Sequence, residues 1–169
     1  MRTILLAGVA VLATITPAAA QAPGSRPTRD FVAAAGQSDA YEMLAADDAL
    51  AQSADPQVQA FARMMLHDHG QTSQAMQQAA ASAGLEPPPT SPGSDQAAML
   101  AALQGLRGKD FDKAYWHQQA LAHRSTLVVV QTYATNGDTP AVKQAAAAAL
   151  PMIRMHLQTA EQMAAQSGS

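Results

Sequence analysis

The chain contains no cysteine among its 169 residues. That absence excludes disulfides, thiolate metal sites, a cysteine nucleophile and the acylated cysteine of a lipoprotein anchor. Aromatic residues make up only 4% of the chain, and no basic face or stacking platform is visible, so nucleic acid is not an expected partner. Valine and isoleucine are scarce while Ala, Gln and Met abound, which disfavours sheet and favours helix. No glycine-rich phosphate loop is present, and no strand offers a nucleophile elbow. The longest apolar run, Ile4 to Ile15, falls short of the roughly 20 residues of a transmembrane helix.

That run has another reading. Arg2, the apolar stretch and the exit Pro17-Ala18-Ala19-Ala20 describe a secretory signal peptide over residues 1–20, cleaved before Gln21. The expected location is therefore periplasmic or secreted. Residues 21–29 carry two prolines and no periodicity, and are expected to form a disordered lead. The remaining domain, 30–166, has the size of one ordinary domain and must be held by packing alone.

Its punctuation predicts an all-α fold. A first helix runs from Asp30 to about Ser53, and Asp55-Pro56 starts a second, with Asp as cap and Pro at the first helical position. The second ends at Gly84, before Pro87-Pro88-Pro89 and Pro92. Residues 84–109 form a long connection with a short helix from a Ser94 cap to Leu106, ended by Gly108. A third long helix runs from Asp110 to Asn136-Gly137, and Thr139-Pro140 starts the fourth, which reaches about Gln166. Two antiparallel hairpins joined by a long connection make a four-helix bundle.

Each long helix carries one ionisable residue on its apolar stripe. The stripes are Phe31, Ala35, Ser38, Glu42, Ala45, Ala49; then Val58, Ala62, Met65, His69, Thr72, Met76, Ala79, Ala83. The third helix gives Trp116, Ala120, His123, Leu127, Val130, Ala134, and the fourth Val142, Ala145, Ala149, Met152, His156, Thr159, Met163. Counted from turns near residues 54 and 138, partners within each hairpin differ in depth by about 4 to 5 Å at roughly 1.5 Å per residue. Glu42, His69, His123 and His156 therefore share one layer.

Three imidazoles and a carboxylate are costly to bury unpaired, and one divalent ion satisfies them together. The donor set suits zinc, iron, manganese or copper. Met65 and Met152 lie one turn before His69 and His156 and are additional soft ligand candidates, although methionine also fills gaps in an alanine-rich core. Two other readings stand beside metal binding. One is an envelope structural or interaction protein in which the cluster only specifies packing; the other is a metal-dependent oxidoreductase. His67, Asp68 and His117 lie off the stripes and are expected on solvated faces. Pro151 interrupts the fourth helix and predicts a bend that wraps it around the core.

The same residues carry a resemblance. Phe31 with Glu42, Val58, Phe61-Ala62, Met65 and Asp68-His69, Phe111-Asp112, Tyr115 and His123, and Leu150-Pro151 with His156-Leu157 resemble the DUF4142 family of exported bacterial proteins over about residues 30–165. The resemblance implies a ferritin-like four-helix fold and no established activity. It does not extend to a di-iron centre, whose Glu-x-x-His pairs are replaced here by Leu66, Ala120 and Ile153 three residues before the histidines. At most one metal ion is expected.

Overall fold

The computed structural model describes residues 24–167, so the expected signal peptide and residues 21–23 of the lead lie outside the described part. Five α-helices and no strand occur among the described residues: α1 (Arg26–Gln52), α2 (Pro56–Ser82), α3 (Ser94–Gln104), α4 (Gly108–Asn136) and α5 (Pro140–Ser167). None is long and apolar enough to cross a membrane. The four long helices pack as two hairpins, α1 with α2 and α4 with α5. The hairpins meet mainly along α2 and α5 and along α1 and α4, while α3 lies against α1 and α4.

Most boundaries follow local chemistry. Asp55 caps α2 by accepting from the backbone N–H of Gln57 at 2.7 Å, and Pro56 occupies the first position, where no N–H is needed. At the far end Gly84 adopts φ +68°, and Leu85 N–H returns to the Ala80 carbonyl at 2.9 Å, closing the helix with a left-handed cap.

The start of α1 differs from the sequence expectation. Residues 26–29 are its first turn rather than a disordered lead, and Ser25, not Asp30, is the cap, accepting from Thr28 N–H at 3.2 Å. The cause is tertiary. The Thr28 hydroxyl is buried against Tyr133 Oη at 2.6 Å and Asp138 Oδ1 at 2.5 Å, which ties the start of α1 to the α4–α5 turn. Pro27 is tolerated because it falls in the first turn. The connector also differs: α3 stops at Gln104, and Gly108, at φ +56°, begins α4 instead of ending α3.

The core is divided by the polar layer. One apolar cluster holds Tyr41, Phe61, Met65, Phe111, Tyr115 and Trp116. The other holds Phe31, Met76, Val130, Tyr133, Val142 and Ile153. On α2, α4 and α5 the histidine falls between the segments that feed the two clusters, whereas on α1 Glu42 sits within the segment of the first, directly after Tyr41. On α5 the fully buried positions are Val142, Ala146, Ile153, His156, Ala160 and Ala164. Ala145, Ala149, Met152, Thr159 and Met163, expected in the seam, are only half-buried.

Candidate metal centre

His69, His123 and His156 come together from α2, α4 and α5, all three buried. Their ring centroids form a nearly equilateral triangle with sides of 5.6, 5.5 and 5.2 Å. One ring nitrogen from each lies within 4.8 Å of the other two.

The outer nitrogen of every ring is engaged. His69 Nδ1 donates to Asp39 Oδ1 at 2.8 Å, and Thr72 Oγ1 donates to the same oxygen at 3.0 Å. His156 Nε2 donates to Asp68 Oδ2 at 2.9 Å. His123 Nδ1 donates to the Gln119 carbonyl at 3.0 Å. A carbonyl or an ionised carboxylate only accepts, so these bonds assign the tautomers. His69 Nε2, His123 Nε2 and His156 Nδ1 are left as lone-pair atoms when the rings are neutral. Such outer bonds to carboxylate or carbonyl are the usual support of metal-ligating imidazoles.

Two inner atoms show what the layer is missing. His69 Nε2 and Glu42 Oε2 are buried without a hydrogen-bond partner. Buried polar atoms are ordinarily paired, and a cation between the rings would satisfy His69 Nε2, which is one of the converging nitrogens.

Electrostatics agree with that geometry. Burial, and then its neighbours His69 and His156, push the His123 pKa down to about 3. Burial, with His69, also lowers that of His156 despite its bond to Asp68. His69 goes the other way: burial opposes its charge, but the bond from Asp39 and the nearby Glu42 and Asp68 carboxylates raise its pKa. Burial raises Glu42 to about 7, only partly offset by His69 and Gln119. Within the layer His69 is thus the ring whose surroundings most favour positive charge, while His123 and His156 are held toward the neutral form.

Glu42 occupies the layer but not the ring of converging ligand atoms. Its Oε1 stands 3.5 Å from His123 Nδ1, on the outer side of that imidazole. Met65 is wholly buried in the aromatic cluster, and Met152 is half-buried on the wall of a neighbouring cavity.

Asp39 and Asp68 are carboxylates bonded to the histidine ring that the stripe pattern missed. Asp68 was expected on a solvated face. Its side chain is instead only 18% exposed, reaching across the α2–α5 interface to His156 while His67, itself exposed, bonds its other oxygen. Asp39 lies one turn before Glu42 on α1, and that spacing was the available signal. His117 is exposed as expected.

No curated protein matches the chain. Among solved structures, the crystal structure of a DUF305 fragment from Deinococcus radiodurans is similar with a TM-score of 0.73 at 17% sequence identity, covering 86% of this chain and 99% of that one. At that identity the likeness shows the fold alone. The family described as "Domain of unknown function (DUF4142)" matches residues 13–163, nearly the whole chain including the histidine layer, and the chain belongs to that family.

Proposed function

We propose that this domain binds one divalent transition metal ion through His69, His123 and His156. The carrying observation is that three imidazoles from three helices turn lone-pair nitrogens toward one another while Asp39, Asp68 and the Gln119 carbonyl hold their outer N–H groups. Tetrahedral ligands at 2.0–2.1 Å from a metal stand about 3.4 Å apart. The His123–His156 separation of 3.3 Å already has that value, and the other two sides, at most 4.8 Å, must close by up to about 1.4 Å.

With three nitrogens inside and Glu42 beside them, the donor set favours zinc or copper(II) over manganese, and iron stands between. Glu42 does not stand with the three converging nitrogens and would have to move past His123 to supply a fourth donor; Met65 and Met152 are packing residues in this reading. A bound metal ion would supply Lewis acidity. The domain's own contribution is a buried, preassembled histidine ring in a chain read as exported to the cell envelope.

The test is metal content. Protein purified from its native compartment is compared by elemental analysis with a His69→Ala/His123→Ala double variant, followed by calorimetric titration of chelator-stripped protein with zinc and copper(II). One ion per chain in the wild type and none in the variant is expected; equal content in both overturns the reading.

A second reading is supported by the His123–His156 contact, which can share one proton. There the layer is a structural hydrogen-bond network, and the stripped protein takes up no metal while remaining folded.

A further inference from the structure

A cavity of about 350 Å³ opens beside the histidine layer, between α1, α2, α4 and α5. Its wall is mostly apolar, formed by Phe31, Met76, Ala145, Ala149, Met152 and Ile153. It exists because α5 contributes a run of alanines, Ala145 to Ala149, where a packed seam would hold larger side chains. An apolar cavity of about 150 Å³ is enough to hold benzene, so this one has room for a ring and a short chain.

The polar end is acidic. Asp39, Asp68 and His69 line the cavity, and among the described residues no lysine or arginine does. Asp68 has both oxygens engaged, by His67 and His156. Asp39 does not. Its Oδ1 accepts from His69 and Thr72, whereas Oδ2 has no partner among the described residues and stays accessible to solvent. A carboxylate oxygen left open at the end of an apolar chamber calls for a hydrogen-bond donor carrying positive charge.

We propose that this cavity binds a small amphipathic organic amine, its ammonium group on Asp39 Oδ2 and its apolar body along the alanine wall of α5. The site is independent of the metal reading, since the ligand meets the outer side of the layer and not the converging nitrogens. An anionic head would face two carboxylates with no lysine or arginine on the wall among the described residues, and a neutral alcohol would gain a bond without charge assistance.

Three isosteric probes separate these cases by calorimetry on chelator-treated protein: 2-phenylethylamine, 2-phenylethanol and phenylacetate. The amine is expected to bind about tenfold more tightly than the alcohol, the increment of a charge-assisted bond, and phenylacetate not at all. Asp39→Asn should abolish the preference for amine while keeping alcohol binding, which also shows that the variant folds. Ala149→Leu or Ala145→Leu, at half-buried positions that tolerate a larger side chain, should remove binding of both. Equal binding of amine and phenylacetate, no saturable binding of the amine, or binding undisturbed by both leucine variants would each overturn the proposal. Because the titration is run without metal, its failure leaves the metal result standing, and the reverse.

Discussion

His123 Nε2 and His156 Nδ1 face each other at 3.3 Å inside the bundle, and each is the lone-pair atom of its ring. Two acceptors at that distance repel unless a proton or a metal ion lies between them. The bonds to the Gln119 carbonyl and to Asp68 prevent either ring from relieving this by changing tautomer. The pair is therefore under load when no cation is present. Replacing it with apolar residues should then relieve the metal-free protein, as removal of a whole buried polar group often does. For the double variant His123→Leu/His156→Leu, urea unfolding in the presence of chelator is expected to show equal or greater stability than wild type, by 0 to about 2 kcal/mol. A loss above about 3 kcal/mol would mean that the pair is a satisfied hydrogen bond.

Metal should reverse that order. A ligand that binds only the folded state stabilises by about 2.7 kcal/mol at a hundredfold excess over Kd. For a domain of this size that corresponds to a Tm rise of roughly 5 to 10 °C. Wild-type protein should show the rise on adding zinc after chelator treatment, and His123→Ala should not. Scanning calorimetry of both proteins with and without zinc measures it, and a rise of equal size in the variant would place the ion elsewhere.

The carboxylates behind the ring are expected to matter almost as much as the ligands. Asp39 fixes His69 and Asp68 fixes His156 at 2.8 and 2.9 Å. Loss of such an outer partner typically weakens metal binding 10- to 100-fold. Asp39→Asn and Asp68→Asn should each fall in that range, whereas Asp47→Asn, on an exposed part of α1, should leave the titration unchanged. Competition against a chelator of known affinity ranks the four proteins.

Much of this was legible before the structure because helix punctuation and 3.6-residue periodicity are local. Asp55-Pro56, Gly84 and Thr139-Pro140 marked hinges that the fold uses, and the apolar stripes put Glu42, His69, His123 and His156 in one layer. What the pattern missed depends on neighbours distant in sequence. Asp68 lies off the α2 stripe but at the edge where α5 packs, and only that packing turns it toward His156. Thr28 helps fix the start of α1 through Tyr133 and Asp138, more than a hundred residues away. The α5 stripe mistook the cavity wall at Ala145, Ala149 and Met152 for the seam, because alanine fits either environment. Glu42 shared the layer, but a depth argument could not say on which side of His123 its carboxylate would stand.

The path of the long connection should depend on one glycine. A Cβ on Gly36 would meet the Pro89 carbonyl oxygen at 2.6 Å and Pro88 Cβ at 2.7 Å, so the proline segment lies directly on the α1 backbone there. Alanine would gain helix propensity of about 1 kcal/mol at an open site, yet here it must push the connector away. Gly36→Ala is expected to destabilise by about 1 to 3 kcal/mol, the range for overpacking. Gly70→Ala, whose Cβ meets nothing within 4 Å on α2, should stabilise by up to about 1 kcal/mol. Parallel urea titrations of the two variants test the contrast.

The pH dependence of the metal-free protein should expose an opposition between His123 and Glu42. His123 has its pKa lowered from 6.5 to about 3 by burial, so across that interval the unfolded chain binds a proton that the folded chain refuses. Stability from this group rises with pH from about 3 to 6.5. Glu42 is raised from 4.5 to about 7 by burial, so the folded chain holds a proton there that the unfolded chain releases. Its contribution is complete below 4.5 and is lost as pH rises through 7. Between 4.5 and 6.5 the two slopes oppose each other, and wild-type stability in chelator should vary little with pH on their account. Glu42→Gln removes one side of the balance while keeping the shape of the residue. The variant should then gain stability with rising pH over that window at about 1 kcal/mol per pH unit, measured as the difference in urea midpoints between pH 4.5 and 6.5. Parallel pH profiles for the two proteins would mean that Glu42 is ionised throughout the window.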